Sequence, residues 1–255
     1  MRSPFPDESV LLDVLTINLW GLPWPIARDR RRRKRRFERY VTRAAYDLIG
    51  IQELWWPWNR TLALDSLVLP TSDRDSGLAL AGRLPAGEAP QVRHFRHRAG
   101  FDCMKRKGIL SSRIRLGGGL DIAVHVTHLQ AGRGHAGVRA RQIDELLEVV
   151  SADDAPALIM GDFNFYSGHS DDRESDARLR AHGFEDAAEA ADAQPTYTSA
   201  NRYVWRRRCA ERFDRIFFRA GRGARFRVRE VEALSDLSAP LSDHHPVRAR
   251  LDVDG

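Results

Sequence analysis

Ala157-Leu-Ile-Met-Gly-Asp-Phe-Asn164 is the segment from which the rest of the chain falls into order. Four successive apolar residues read as a strand covered on both faces, and they run straight into Gly161-Asp162, so a carboxylate stands where a buried strand leaves the core. Upstream, Ile143, Leu146, Leu147 and Val150 recur at helical spacing and predict an amphipathic helix feeding this strand. Further back, across a glycine-rich loop, residues 120–129 alternate. Ile122, Val124, Val126 and His128 share one face, and Ala123, His125 and Thr127 the other, so the two histidines of this strand point in opposite directions.

Outward in both directions the chain continues to alternate between the two periods. Residues 11–18 read as a strand; Phe37, Tyr40, Val41, Ala44, Ala45 and Leu48 mark a helix; residues 48–53, 77–81 and 107–116 read as strands. A helix is expected at 172–182, a strand at 213–218, and a last strand at 246–252, where Val247, Ala249 and Leu251 alternate with Arg248, Arg250 and Asp252. Neither an internal repeat nor a linker long enough to separate domains is visible. The expectation is an N-terminal tail, residues 1–9, and one domain over residues 10–255.

With 42% hydrophobic and 30% charged residues of mixed sign, general disorder, collagen and coiled coil are excluded. The two cysteines, Cys103 and Cys209, cannot make a disulfide framework or a four-ligand zinc site, and a single bridge stays open. His94, His97, His135, His169 and His182 lack zinc-site spacing. Charge is localised. Residues 28–39 hold nine basic residues, from Arg28 to Arg39, against Asp29 and Glu38, a local +7; the other 243 residues therefore sum to about −1 of the total +6. Such a patch suits nucleic acid or anionic lipid, and its plainest reading is a solvated helix start. The N-terminus lacks a secretory signal, and the longest apolar stretch, residues 10–19, is broken by Asp13 and Asn18, well short of the roughly 20 residues that span a bilayer. Cytoplasmic residence is the default expectation.

Polar residues fit for metal or proton chemistry recur where apolar strands stop: Asn18, Glu53, His128, Asp162 with Asn164, Asp214, and Asp243-His244. Singly, each reads as a turn former or a loop cap. Together they supply hard oxygen donors suited to Mg²⁺ or Mn²⁺ rather than zinc, flanked by two imidazoles that titrate near neutral pH. Strand ends converge in packed sheets, so residues scattered along the chain can meet at one rim.

Asn18-Leu-Trp-Gly-Leu-Pro, Ile51-Gln-Glu53, Thr127-His128-Leu-Gln, Gly161-Asp162-Phe-Asn164, Phe213-Asp214-Arg-Ile-Phe and Ser242-Asp243-His244-His-Pro-Val247 resemble, in order, the motifs of the endonuclease/exonuclease/phosphatase superfamily. The resemblance implies a four-layered α/β sandwich, two mixed β-sheets packed face to face with helices outside, and divalent-metal hydrolysis of a phosphate ester. The Asn-Leu-Trp-Gly-Leu-Pro, Gln-Glu-Leu-Trp and Thr-His-Leu-Gln-Ala stretches are most similar to neutral sphingomyelinases and related phospholipase C-type enzymes. Carried over motif by motif, it implies that Glu53, with Asn18, holds Mg²⁺ (or Mn²⁺), and that Asp243 is a ligand of the same or a second ion. His244 becomes the general base with Asp214 as its partner, Asp162 and Asn164 orient water and phosphate, and His128 donates to the transition-state oxygens. His245 receives no role, since alternation turns it away from His244. Lys107 is a candidate phosphate contact, with an exposed lysine at a strand start as the plainer account.

Of six tryptophans, Trp20, Trp24, Trp55, Trp56 and Trp58 follow Asn18 or Glu53, and Trp205 stands apart. Trp20 and Trp55 are candidate substrate contacts; simple loop packing is the alternative. Trp beside Pro and next to an arginine-rich helix suits a membrane interface, whereas the same residue types also bind nucleic acid. A phospholipid headgroup reached by peripheral membrane contact is the first expectation for the substrate, a DNA or RNA phosphodiester the second. No stable protein partner is inferred.

Overall fold

The computed structural model describes residues 9–55, 62–64, 76–84, 88–117, 119–152, 154–188, 193–206 and 208–255; Trp56 and Trp58 lie outside them. In chain order the elements are β1 (Val10–Asn18), α1 (Arg30–Ala44), β2 (Leu48–Gln52), β3 (Ala79–Ala81), β4 (Gln91–His94), β5 (Gly108–Gly117), β6 (Leu120–His128) and α2 (Ala136–Val150). There follow β7 (Ala157–Asp162), α3 (Ser170–Ala181), β8 (Glu185–Asp186), β9 (Tyr197–Thr198), β10 (Ala210–Glu211), β11 (Asp214–Arg219), β12 (Arg225–Ala233) and β13 (Val247–Asp254). They form a five-stranded sheet, β12-β13-β1-β2-β3, a six-stranded sheet, β4-β5-β6-β7-β11-β8, and the small pair β10-β9. Both large sheets are mixed: β1 runs parallel to β2 and β6 to β7, while β13 and β11 run antiparallel to their neighbours.

Strand parity makes the layers. Leu12 and Val14 of β1 and Leu48 of β2 share one core with Val124 and Val126 of β6, Leu158 and Met160 of β7, and Ile216 of β11, which is the face-to-face packing of the two sheets. The alternate residues turn outward. Leu15, Ile17, Ile49 and Ile51 meet Phe37 and Val41 of α1, and Ile159 and Phe217 meet Ile143 and Leu146 of α2 and Leu179 of α3. The order is helix, sheet, sheet, helices, the four-layered α/β sandwich. Gly161 shows how tightly it is built, since a Cβ there would lie 2.1 Å from the Thr127 carbonyl oxygen of the adjoining strand.

Elements read from apolar periodicity are all present, most with shifts of a residue or two at their ends; the expected strand at 213–218 is Asp214–Arg219 and that at 77–81 is Ala79–Ala81, whereas the helix marked through Leu48 ends at Ala44 and Leu48 opens β2. Helix α1 begins well before its first apolar residue, at Arg30. Strands β4 and β12 escape the sequence reading because both are edge strands; β12 presents Arg225, Arg227 and Arg229 between half-buried Phe226 and Val228, and charge of this kind is how an edge avoids pairing with another chain. Both Cys103 and Cys209 are free thiols, so the bridge left open by the sequence is not formed. Among the described residues no helix is long and apolar enough to cross a membrane.

Candidate active site

The parity that builds the core also delivers the polar residues. On β1 the inward series Leu12, Val14, Thr16 continues to Asn18; on β6 it ends in His128; on β7 it ends in Asp162; on β11 it begins with Asp214. Pairing then fixes neighbours: Asp162 lies opposite His128 on one side and Asp214 on the other. These residues open on a pocket of about 450 Å³, shared with Glu53, Lys107, Asn164, Asp243, His244, Trp20 and Trp55. Every candidate residue named from the sequence except Asp214 lines it directly, and Asp214 touches it through His244.

Asp214 Oδ2 lies 2.7 Å from His244 Nδ1, with both side chains buried. The ring's other nitrogen faces Asp162, 4.0 Å from its Oδ2. Thr196 Oγ1 accepts from the backbone N–H groups of Phe213 and Asp214, and the Asn201 amide donates to the carbonyls of Ser242 and Asp243. The two loops that carry the pair are thus pinned from the same segment. Burial lowers the imidazole's affinity for a proton, but Asp214 first, then Asp162 and Asp243, outweigh it, and the His244 pKa lies well above its ordinary value. His245 is also buried, yet its contact is the Leu234 backbone.

His128 is the opposite case. It is fully buried, Lys107 and His244 add positive charge nearby, and its pKa falls well below the usual value, so it is a neutral ring, with Nε2 3.4 Å from Asp162 Oδ2. Asp162 accepts the Asn164 backbone N–H on Oδ1 at 3.0 Å and the Asn18 amide on Oδ2 at 2.9 Å. Burial first, then the neighbouring Asp214, pushes its pKa up to about 6. The Asn18 amide also donates to Glu53 Oε1 at 3.3 Å, while its Oδ1 accepts from Trp20 N–H at 2.8 Å. Asn18 therefore bridges two carboxylates with its NH₂ and has its oxygen already engaged. Trp20, Glu53 and Asn164 all have φ near +50°, at 47°, 55° and 51°, a left-handed backbone that side chains larger than Gly adopt at a cost and that collects at functional sites.

The residues fit a hard divalent cation. Glu53 is half-buried, its Oε2 is buried without a hydrogen-bond partner, and burial raises its pKa. Asp243 beside it is raised to about 6, by burial and, with the opposing pull of His244, by the charge of Glu53. Two carboxylates each disfavouring ionisation, one with an unsatisfied buried oxygen, form a cradle for positive charge. Among the described residues Asp162, Asp214 and His244 also place ligand-type atoms within 4.8 Å of one another; because Asp214 is committed to His244 Nδ1, that trio is better suited to proton transfer.

Lys107 corrects the plainer sequence account. It is 3% exposed, with Nζ 2.7 Å from Asp102 Oδ2 and 2.9 Å from the Leu129 carbonyl. A cation in the pocket wall, paired yet facing the carboxylates, is what a phosphate oxygen would meet. Asp102, which also accepts Ala131 N–H, was missed, and a lone carboxylate in a loop without periodicity gives no signal. Arg33 was missed too: it is 1% exposed and not part of a solvated face. Its guanidinium donates to the Leu19, Trp20 and Arg28 carbonyls at 2.7, 3.0 and 2.8 Å, locking the turn after Asn18. A signal existed, because Arg33 lies in the same four-residue series as buried Phe37 and Val41. Trp20 and Trp55 are buried in the pocket wall, Trp24 and Trp205 are exposed, and Tyr166, Tyr197 and Arg206 also line the pocket.

A histidine–aspartate relay, a second carboxylate opposite it and a cradle for a hard cation, gathered where two face-to-face sheets end, define the class of metal-assisted phosphodiester hydrolases. More particularly, residues 15–244 match the endonuclease/exonuclease/phosphatase family, and the chain belongs to it. A putative neutral sphingomyelinase of Drosophila melanogaster is 25% identical over 271 residues, covering 94% of this chain and 60% of that protein; the chain thus spans about three-fifths of this relative. D. rerio TDP2 complexed with a single-strand DNA product superposes with a TM-score of 0.76 at 17% identity, covering 94% of this chain and 98% of that one. An endonuclease/exonuclease/phosphatase from Beutenbergia cavernae DSM 12333 gives 0.72 at 18% identity, covering 96% and 72%. At these identities the structural likeness concerns the fold.

Proposed function

We propose that the protein hydrolyses the phosphodiester of a phospholipid headgroup, in the manner of a sphingomyelinase, with His244 as general base. The observation that carries this reading is the 2.7 Å contact of His244 Nδ1 with buried Asp214. Nδ1–H donates to that carboxylate, which fixes the tautomer and leaves the Nε2 lone pair facing the pocket and Asp162. Water held by Asp162 and Asn164 gives its proton to Nε2 as its oxygen bonds to phosphorus, and the P–O bond to the lipid breaks, the leaving oxygen keeping the bonding pair and taking up a proton from solvent to become the alcohol. His128, neutral and buried, donates to the phosphoryl oxygens, and Lys107 adds a point charge. Glu53 and Asp243 would hold the divalent cation, Mg²⁺ or Mn²⁺, with Asn18 positioning Glu53 and Asp162 through its NH₂. When bound, such an ion supplies positive charge that polarises the phosphoryl group and offsets the carboxylates that keep His244 protonated.

The Drosophila relative's name supports a lipid substrate; the DNA-bound TDP2 structure keeps a nucleic acid phosphodiester as the competing one. Purified protein with Mg²⁺ is offered sphingomyelin vesicles, plasmid DNA and RNA in parallel. Phosphocholine release is the expected result. Cleavage of DNA or RNA without release of phosphocholine would overturn the lipid assignment.

A further inference from the structure

The three most exposed large apolar side chains among the described residues are Trp24, Trp205 and Met104, at 80%, 70% and 69%. None lines the pocket, yet each stands within two residues of one that does: Leu22, Arg206 and Lys105 respectively. Phe101, on the same short turn as Met104 (Gly100–Met104), is half-exposed and lines the mouth itself. Leu11, at the far end of β1 from Asn18, is the one large exposed apolar residue among the described residues that stands apart from these segments. Single exposed apolar residues are ordinary; several of them in segments that also line one polar pocket are not.

Cations are set among them. The Arg28 guanidinium lies 5.5 Å from the Trp205 ring centre and Lys105 Nζ 4.6 Å from that of Trp55, while Arg206 contacts the Tyr166 hydroxyl. Of the carboxylates beside these cations, Asp102 is ion-paired with Lys107 and Asp29 accepts the Tyr203 hydroxyl, while Glu53, Asp162 and Asp243 line the pocket itself. The segments that flank the pocket thus carry exposed apolar side chains and cations together. We propose that this face docks on an anionic lipid bilayer, with Trp24, Met104 and Trp205 entering the headgroup layer and Arg28, Lys105 and Arg206 meeting lipid phosphates. The proposal deepens, and rests on, the lipid reading of the pocket. Trp24, Trp205 and Phe101 offer rings that suit a base as well as a lipid, whereas exposed Met104 and half-exposed Ile26 offer none and favour the lipid surface.

The test is co-sedimentation with phosphatidylcholine vesicles that hold about 30 mol% phosphatidylserine, against pure phosphatidylcholine. Wild type is compared with the triple variant Trp24→Ser/Met104→Ser/Trp205→Ser and, separately, with Arg28→Glu. These side chains lie in solvent outside the pocket, so hydrolysis of water-soluble bis(p-nitrophenyl) phosphate should be unchanged and confirms a folded protein. The expected result is salt-sensitive binding to the anionic vesicles, about tenfold or more weaker in the triple variant, with the preference for anionic lipid reduced in Arg28→Glu. Wild type that sediments with neither vesicle overturns the proposal. So does a triple variant that sediments like wild type, or one that loses single-stranded DNA binding while keeping vesicle binding. A protein that cleaves DNA and no lipid, but whose vesicle binding still depends on the three residues, refutes the proposed substrate and supports the docking surface.

Discussion

Asp214→Asn tests the relay at its least accessible member. Asp214 is fully buried, Oδ2 is 2.7 Å from His244 Nδ1, and its backbone N–H is held by Thr196 at 3.1 Å. The amide has the same shape, so the pairing with Asp162 and the fold should survive. What changes is the proton inventory. An amide that turns its NH₂ toward Nδ1 drives the ring proton to Nε2, where water's proton has to go; one that turns its oxygen keeps the tautomer but does not stabilise the imidazolium. Either way the base is disabled, and loss of general-base catalysis is worth about 10² to 10⁴ in kcat/KM, or about 3 to 5 kcal/mol of barrier. The pH profile supplies an independent sign. Burial lowers the His244 pKa and the carboxylates, Asp214 foremost, more than restore it; deleting that charge moves the acid limb of kcat/KM to lower pH. Turnover of bis(p-nitrophenyl) phosphate at saturating Mg²⁺ across the pH range should show a depressed plateau together with a down-shifted limb. A variant within about twofold of wild type, with an unmoved limb, would sink the relay, because a general base contributes at least about 10²-fold.

Glu53→Gln removes the carboxylate with the unsatisfied buried oxygen, and Mn²⁺ binding followed by electron paramagnetic resonance should weaken about tenfold or more; an unchanged midpoint removes Glu53 from the cradle. Asp243 carries a stability signature in metal-free protein. Its folded pKa is raised from 3.8 to about 6, so its contribution is fully present below pH 3.8 and is lost as pH rises through about 6, opposite to an ion-paired carboxylate. With chelator present, the melting temperature of wild type relative to Asp243→Asn should fall across that window; a flat difference refutes the assignment. Arg33→Met leaves the buried Leu19 and Trp20 carbonyls without their charged donor, a loss of about 3 to 5 kcal/mol that should lower the melting temperature by on the order of 10 °C. A shift of less than about 2 °C would show that the turn holds itself.

Much of this site is readable without coordinates because strand parity is local. Leu158 and Met160 turn inward, so Asp162 does also; Val124 and Val126 do the same for His128. A period of two depends only on the chain's own backbone, and it carries Asn18 as well; Glu53 is legible only as the polar residue at a strand end, since parity would place it with outward Ile49 and Ile51 and its left-handed backbone turns it back. The cation run misled for the complementary reason. Nine basic residues within twelve positions say how much charge there is, but not that Arg33 shares its stripe with Phe37 and is drawn under the Trp20 turn.

The amino-acid sequence by itself determined which residue types stand at the strand ends and which face each strand offers to the core. Only the tertiary structure decided that Asp162 sits between His128 and Asp214, that Lys107 is buried against Asp102, and that two carboxylates lose enough solvent to be raised to about 6. Register and desolvation are properties of segments far apart in the chain closing on one another, and a single segment holds no record of the partner that will cover it.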